Sequence, residues 1–133
     1  MEVAEVISKR STCLRRQVGA VLVLEDHIIA TGYNGAPKNL PHCSETGCVR
    51  EAQNIPSGQR HELCRANHSE ANAIIFSHCN TNGSVLYVTC FPCVMCAKIL
   101  INAGVKKVIY KGDYPDELSK EMLESSGVTV QKF

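Results

Sequence analysis

The apolar run over residues 18–24 (Val-Gly-Ala-Val-Leu-Val-Leu) is the feature that most restricts how this chain can fold. It is nearly continuous in apolar residues and rich in β-branched ones, which predicts a buried strand. A short polar turn, Glu25-Asp26-His27, separates it from a second predicted strand over residues 28–32. We therefore expect the two strands to form an antiparallel hairpin, around which the other elements are arranged.

Helices and strands alternate along the rest of the chain. Periodicity predicts helices over residues 2–10, 68–78, 93–103 and 115–125, and further strands over residues 84–89, 105–110 and 128–130. The order α-β-β-α-β-α-β-α-β predicts a three-layer α/β fold, with helices on both faces of a five-stranded mixed sheet. A chain of 133 residues fits a single domain, residues 1–133.

Charge and composition exclude several classes of function. The chain has a net charge of +1 and no basic stripe, which argues against a long nucleic acid as partner. It has no apolar stretch long enough to span a membrane. A single nucleotide needs only a few cationic contacts, and five arginines are candidates for them: Arg10, Arg15, Arg16, Arg50 and Arg60.

Eight cysteines are many for a chain of this length. A secreted disulfide scaffold is one explanation, but the N-terminus has no secretory pattern and the chain is large enough for an ordinary core. We therefore expect metal binding in a reducing compartment, the cytoplasm, rather than a disulfide framework.

A Cys-x-x-Cys pair follows Pro92 at the start of a predicted helix. Cys93 and Cys96 are three residues apart, so both sulfurs lie on one face, and the helix N-terminus favours their thiolate form. The pair alone is ambiguous, since a thioredoxin-type redox pair and half of a structural zinc knot share its spacing. His68, at the start of the preceding predicted helix, would complete a set of one histidine and two cysteines.

Glu70 makes this ligand set typical of a catalytic zinc site. His68, Cys93 and Cys96 leave one tetrahedral position open for water, and zinc lowers the pKa of such a water towards neutrality. A carboxylate two residues from the histidine can then carry the proton. H-x-E with P-C-x-x-C is the signature of zinc deaminases. A zinc-structured binding module without chemistry would leave Glu70 without a purpose.

The chain resembles the deoxycytidylate (dCMP) deaminase family, with its cytidine deaminase-like fold, along nearly its whole length. The segments that carry the resemblance are Ser11-Thr12-Cys13, Val18-Gly19-Ala20, Thr31-Gly32-Tyr33-Asn34-Gly35, His68-Ser69-Glu70-Ala71-Asn72-Ala73 and Phe91-Pro92-Cys93-Val94-Met95-Cys96-Ala97-Lys98. The zinc motif is common to many deaminases, whereas Gly-Tyr-Asn-Gly and the cysteine-rich loop narrow the resemblance to dCMP deaminases. Ser69 stands where the family usually has alanine, and we expect little effect from that difference.

The resemblance implies hydrolysis of dCMP to dUMP and ammonia. Zinc hydroxide would attack C4 of cytosine, and Glu70 would shuttle the protons. Asn34 would contact the deoxyribose, although a plain turn residue is the alternative. The 5′-phosphate would meet Arg10, Ser11 or a neighbouring arginine. Tyr114 is a further candidate for nucleotide contact, or else a turn residue before Pro115.

Residues 35–67 form a long stretch with little periodicity. Such loops in compact domains usually either carry functional residues or are held in place by another group. His61 and Cys64 have ligand-like spacing, and the resemblance implies a second, structural zinc that includes Cys13 and Cys43. We therefore expect a closed site of Cys13, Cys43, His61 and Cys64, with Cys48 as the alternative fourth ligand. Free thiols or a disulfide are the other possibility.

The resemblance also implies a homo-oligomer, from dimer to hexamer, with dCTP as activator and dTTP as inhibitor, and with Mg²⁺ accompanying the effector nucleotide. The nearest rival activities are deamination of free cytidine, cytosine, guanine or tRNA adenosine. The near-neutral charge argues against tRNA.

Overall fold

Five strands form one mixed sheet in the order β2-β1-β3-β4-β5 in the computed structural model, which describes residues 1–133. The strands are β1 (Gly19–Leu24), β2 (His27–Tyr33), β3 (Val85–Cys90), β4 (Lys107–Gly112) and β5 (Thr129–Lys132). β1 is antiparallel to both β2 and β3, whereas β3, β4 and β5 are mutually parallel. The predicted hairpin and the five-stranded mixed sheet are both confirmed.

Glycines show that helices cover both faces of the sheet. A Cβ on Gly19 would collide with backbone atoms of Ala4 and Ser8 in the first helix. A Cβ on Gly32 would collide with the backbone of Ser69 and Ala73 in a later helix. Gly32 pairs with Ala20, the neighbour of Gly19. Because adjacent strand residues point to opposite faces, the two helices lie on opposite sides of the sheet, which confirms the three-layer arrangement.

The helices that border the sheet have the bounds α1 (Glu2–Ser8), α4 (Ser69–Ile75), α5 (Val94–Asn102) and α6 (Glu117–Ser125). α5 packs against both α4 and α6, and α1 packs against β1. The core between them is made of small and aliphatic side chains, among them Ala20, Leu22, Ala73, Leu86, Val88, Ala97, Leu100, Val108 and Leu123. No helix is long and apolar enough to cross a membrane.

Residues 35–67, here called the cysteine-rich segment, leave the sheet after β2 and return before α4. An antiparallel bridge between Gly35 and Asn67 closes the segment at its base. Within it lie two four-residue helices, α2 (Cys43–Thr46) and α3 (Val49–Ala52), and a 3₁₀ turn (His61–Leu63). Between residues 36 and 66 only Cys43 and Arg50 are buried, so the segment contributes almost nothing to a hydrophobic core.

Candidate metal centre and active site

Two of the predicted metal ligands cap neighbouring helices. His68 is the N-cap of α4 and Cys93 is the N-cap of α5, and both residues have extended rather than helical backbone angles. The predicted helices therefore begin one residue later than expected, because each ligand lies in the extended segment just before its helix. α4 and α5 pack against each other, which brings the two caps together.

The imidazole of His68 lies between two sulfurs. Its Nδ1 is 3.4 Å from Sγ of Cys93 and 3.4 Å from Sγ of Cys96. Zinc bond lengths of about 2.0 Å to nitrogen and 2.3 Å to sulfur place such ligands about 3.6 Å apart in a tetrahedron. One imidazole and two thiols are also ligands that zinc prefers, so the residues fit a zinc ion with little rearrangement.

The electrostatics of these groups also favour a cation. The pKa of Cys93 falls to about 3, first through a hydrogen bond with Cys96 and then through the imidazole of His68. The pKa of His68 rises to about 11 because its ring hydrogen-bonds to the thiols of Cys64 and Cys93. The protonated ring thus supplies, next to a thiolate, the positive charge that a metal ion would supply.

Glu70 lies in the first turn of α4, where it is only 5% exposed. Its carboxylate, a nitrogen of His68 and the sulfur of Cys96 all lie within 4.8 Å of one another. Burial raises the pKa of the Glu70 carboxyl above its usual range. The Ser69 hydroxyl donates a 2.8 Å hydrogen bond to Oε2 of Glu70, so the serine that we expected to have little effect contacts the predicted proton carrier. Together, His68, Glu70, Cys93 and Cys96 are called the catalytic cluster below.

His61 lies beside the catalytic cluster. Its ligand nitrogen lies within 4.8 Å of those of His68 and Cys93, and its Nε2 is 2.8 Å from the hydroxyl of Tyr114. The Tyr114 ring in turn lies 5.5 Å from the guanidinium carbon of Arg16. The structure thus brings Tyr114 to the site, and it places His61 there as well.

Sequence reasoning missed a clamp that holds the segment before α5. Asp116, the N-cap of α6, accepts hydrogen bonds from the backbone N–H of Ser119 at 3.0 Å and of Val94 at 2.8 Å. The Ser119 hydroxyl donates a 2.7 Å bond to the carbonyl of Pro92. We expected Pro115 to open this helix, but α6 begins at Glu117 because Asp116 serves as its cap. The pattern Asp-x-x-Ser signals such a cap, although not its second bond to Val94.

Asn34 lies in the cavity wall, but its amide also orders the chain before β1. Its Oδ1 accepts hydrogen bonds from the Ser11 hydroxyl at 2.6 Å and from the Val18 N–H at 2.8 Å, and its Nδ2 donates to the Arg16 carbonyl at 2.8 Å. Ser11 is buried behind Asn34, and Arg10 is exposed two residues after the end of α1. Neither Ser11 nor Arg10 lines the cavity.

One cavity joins the catalytic cluster to the cysteine-rich segment. Besides His68, Glu70 and Cys93, its wall includes three arginines, Arg15, Arg16 and Arg50, and the thiols Cys13, Cys43, Cys48 and Cys64. Burial first, and then the nearby thiols of Cys48, Cys13 and Cys64, raise the pKa of Cys43. Cys13, Cys43, Cys48 and Cys64 thus line one cavity, and the charges of the other three act on Cys43, while Cys64 also hydrogen-bonds to His68 of the catalytic cluster.

Comparison with known proteins places this arrangement in a family. The model of the cytidine and deoxycytidylate deaminase zinc-binding region matches residues 1–111. The deoxycytidylate deaminase of Schizosaccharomyces pombe is 35% identical over the whole chain, and the chain spans 42% of that protein's length. ComE operon protein 2 of Bacillus subtilis is 36% identical over 99% of the chain and 68% of its own length.

A solved structure agrees with these sequence relatives. The dCMP deaminase of cyanophage S-TIM5, solved in complex with dCMP and dUMP, superimposes with a TM-score of 0.81 at 32% identity. The superposition covers 99% of this chain and 92% of the phage protein. The chain therefore belongs to the cytidine and deoxycytidylate deaminase zinc-binding family.

Proposed function

We propose that this chain hydrolyses dCMP to dUMP and ammonia, with a zinc ion held by His68, Cys93 and Cys96. The observation that carries the proposal is an imidazole nitrogen 3.4 Å from two sulfurs, with the buried carboxylate of Glu70 beside them. The relatives named as deoxycytidylate deaminases and the phage enzyme solved with dCMP and dUMP support dCMP as the substrate.

Zinc bound to these three residues would acidify a water molecule at its open position. Glu70 would take a proton from that water, whose oxygen would bond to C4 of cytosine, and deliver the proton to N3. Glu70 would then move the proton of the new C4 hydroxyl to the amino group, which leaves as ammonia while the C4 carbonyl forms. Its burial suits this role, because burial raises the pKa of the carboxyl and so lets Glu70 hold a proton between the two transfers more readily than an exposed glutamate would. The Ser69 hydroxyl would hold the carboxylate in its reactive orientation.

We further propose that Asn34 and Tyr114 contact the nucleotide, since both line the cavity that contains Glu70. Asn34 is held by three hydrogen bonds, so an approaching deoxyribose would meet an amide with a fixed orientation. Tyr114 is held by His61 and by the cation of Arg16. The same arrangement makes His61 a third residue of the cavity wall that a bound base would meet.

A second zinc site in the cysteine-rich segment is also proposed, with Cys13, Cys43, Cys48 and Cys64 as its ligands. The gathering of these four thiols around Cys43 supports it. We take Cys48, the alternative ligand, in place of His61, because the charge of Cys48 acts on Cys43 together with those of Cys13 and Cys64, whereas His61 is hydrogen-bonded to Tyr114. Eight free cysteines are typical of a reducing compartment such as the cytoplasm.

The decisive test of the activity is Glu70→Gln, with Glu62→Gln as the matched control. Glu62 is an exposed glutamate of the cysteine-rich segment that pairs only with Arg60. Glu70→Gln should retain the zinc content of the wild type while ammonia release from dCMP falls by about 10³-fold or more, and Glu62→Gln should match the wild type. Turnover retained in Glu70→Gln would refute the mechanism. Parallel assays with cytidine, cytosine, guanine and a tRNA anticodon stem would show whether dCMP is the preferred substrate.

Self-association and control by dCTP and dTTP, with Mg²⁺ accompanying the nucleotide, complete the proposal. Exposed apolar side chains on α4, its C-cap and α5 support association between copies of the chain; they are Ile75, Phe76, Met95 and Ile99. Light scattering should show a species larger than a monomer. Addition of dCTP or dTTP with Mg²⁺ should change the rate of dCMP deamination in opposite directions.

A further inference from the structure

His61 has one ring nitrogen with a partner and one without. Its Nε2 is 2.8 Å from the hydroxyl of Tyr114, whereas its Nδ1 is buried and has no hydrogen-bond partner. The ring lines the cavity that contains Glu70. A buried polar atom without a partner is costly, and native proteins rarely tolerate one. Nδ1 therefore needs a partner other than a hydrogen-bonding group of the chain.

The ring of His61 lies against the catalytic cluster. Its ligand nitrogen is within 4.8 Å of a nitrogen of His68 and of the sulfur of Cys93. The centroids of the two imidazole rings are 5.5 Å apart, and their planes are inclined by 60°. Ligand atoms around one tetrahedral zinc ion are about 3.3–3.8 Å apart, so a shift of roughly 1 Å would bring His61 into the coordination shell.

The two nitrogens of His61 are arranged as in a metal ligand. A histidine that binds a metal through one nitrogen almost always donates its other N–H to an oxygen or a similar acceptor, which fixes the tautomer and the orientation of the ring. The Tyr114 hydroxyl is such a partner for Nε2 of His61, and it leaves the lone pair of Nδ1 free. His68 has the same pattern, because its Nδ1 faces the two sulfurs of the catalytic cluster while its ring also hydrogen-bonds to the thiol of Cys64.

His61 and Glu70 approach the catalytic cluster from different sides. His61 is close to His68 and Cys93, whereas Glu70 is close to His68 and Cys96. The three ligands His68, Cys93 and Cys96 leave one tetrahedral position, which His61 can take without displacing Glu70. That position cannot hold an imidazole and a water at the same time. Two cysteines with two histidines form a closed set of ligands, which is typical of structural zinc and not of catalytic zinc.

We infer that His61 is a fourth protein ligand of the catalytic metal while the cavity holds no nucleotide, and that a bound nucleotide takes His61 off the metal. His61 and Tyr114 both line the cavity, so an entering base meets them before it reaches Glu70 and the metal ligands. The exchange replaces one neutral donor, an imidazole nitrogen, by another, the oxygen of water, so no proton or electron is consumed. The inference rests on the proposed function, because only that function requires an open position.

Little packing opposes the small movement of His61 that this exchange requires. His61 begins the 3₁₀ turn of the cysteine-rich segment and is itself only half-buried. Between residues 36 and 66 only Cys43 and Arg50 are buried. The catalytic metal is thus closed by a ligand from the region with less core, and it is opened when a nucleotide occupies the cavity.

The imidazole nitrogens themselves report this exchange. Nitrogen-15 NMR of the zinc-loaded chain distinguishes a metal-bound nitrogen from a free one at each of the five histidines. Without nucleotide, His61 and His68 should both have a metal-bound Nδ1. With saturating dUMP, the product of the proposed reaction, His68 alone should remain bound. A free Nδ1 of His61 in the nucleotide-free chain, or one that stays on the metal when dUMP is bound, would overturn the inference.

Two cysteine variants separate the catalytic metal from a metal at the four thiols. Cys96→Ser removes the catalytic ion, so the metal-bound signals of His61 and His68 should disappear together. Cys48→Ser removes a proposed ligand of the other site and should leave both signals in place. If Cys48→Ser loses the signal of His61 and keeps that of His68, His61 belongs to the second site and the inference is wrong. The spectrum without nucleotide tests His61 as a ligand even if the chain deaminates nothing, in which case only the proposed function fails.

Zinc affinity gives a measurement that needs neither nucleotide nor turnover. In competition with a chelator, followed by the metal-bound signal of His68, His61→Gln should bind catalytic zinc about 100-fold more weakly. Tyr114→Phe, which removes only the oxygen that orients the ring, should lose about 10-fold, since such outer partners contribute about 10- to 100-fold to metal affinity. The controls are His78→Gln, exposed after α4, and Tyr110→Phe, outside the cavity, and both should match the wild type. Wild-type zinc affinity in His61→Gln would refute the fourth ligand.

Discussion

The catalytic cluster and the cysteine-rich segment border the same cavity but are held in place differently. His68, Glu70, Cys93 and Cys96 lie at the first turns of two helices that pack on a five-stranded sheet. The cysteine-rich segment has a bridge at its base and only two buried side chains between residues 36 and 66, a cysteine and an arginine. The first region is positioned by its core, whereas the second depends on the polar groups that it buries.

The difference matters because each of the two buried side chains of the segment carries a group that can bind a ligand, a thiol for a metal ion and a guanidinium for an anion. Cys43 belongs to the group of four thiols, and Arg50 has an N–H group without a partner. Arg50 also follows Cys48, the N-cap of α3, by two residues. A metal at the four thiols would therefore fix the helix that carries Arg50, and the order of one region would serve the chemistry of the other.

The largest effect should come from exchanging one thiol in each region. Cys96→Ser should lower turnover of dCMP by about 10³-fold or more, because the ion that activates water is lost. Cys48→Ser should instead leave catalytic zinc in place and increase amide hydrogen exchange across residues 36–66. Zinc per chain should fall by about one ion in each variant. Similar exchange patterns in the two variants would show that the regions are not held independently.

The core that supports the catalytic cluster can be tested at Gly32. A methyl group there would collide with the backbone of Ser69 and Ala73 in α4, so Gly32→Ala should cost about 1–3 kcal/mol in the free energy of unfolding. Gly35→Ala is the control, since its Cβ would meet nothing closer than the Thr12 hydroxyl at 3.4 Å. Urea denaturation measures both, and equal stabilities would contradict the close packing of β2 on α4.

A smaller effect is expected at the clamp before α5. Asp116→Ala removes the cap of α6 and the bond to the Val94 N–H, which should cost about 1–2 kcal/mol of stability. It should also lower kcat, because Cys93 lies next to Val94. Asp113→Ala, which removes only an exposed pair with Lys132, is the control. Full activity in Asp116→Ala would show that the metal alone positions Cys93.

The smallest effect is expected at Ser69. Ser69→Ala removes one hydrogen bond to Glu70, so kcat should fall about 5-fold, the equivalent of roughly 1 kcal/mol. Ser84→Ala is the matched control, because the Ser84 hydroxyl is also buried but has no partner. Steady-state kinetics at saturating dCMP will distinguish them. If both variants behave alike, the hydroxyl of Ser69 does not orient the carboxylate.

Much of the fold could be predicted because the strands carry strong local signals. The β-branched run of β1 and the glycines that follow α5 and α6 mark their elements without reference to the rest of the chain. The ligand motif could be recognised for the same reason, since Cys93 and Cys96 are close in sequence. His68 could be recognised as the third ligand only because Glu70 lies two residues after it.

The parts that could not be predicted depend on contacts between distant residues in irregular structure. His61 is predicted as a ligand of the second metal site from its spacing to Cys64, and that spacing gives no indication of its hydrogen bond to Tyr114, 53 residues away. Arg50 was one of five arginines that could meet a nucleotide, but nothing in the sequence distinguished it from the others, because a lone arginine in a loop usually faces solvent. Asp116 could be read as a helix cap, but its bond to Val94 requires the tertiary structure.

The clamp from α6 bears on which stretch of chain forms a self-sufficient unit. All four residues of the catalytic cluster lie within residues 68–96, and the family model matches residues 1–111. Asp116 and Ser119, which hold Pro92 and Val94, lie beyond both ranges. A graft or a truncation that keeps every recognised motif would therefore carry the right ligands on an unsupported loop, and an engineered minimal version must extend through α6.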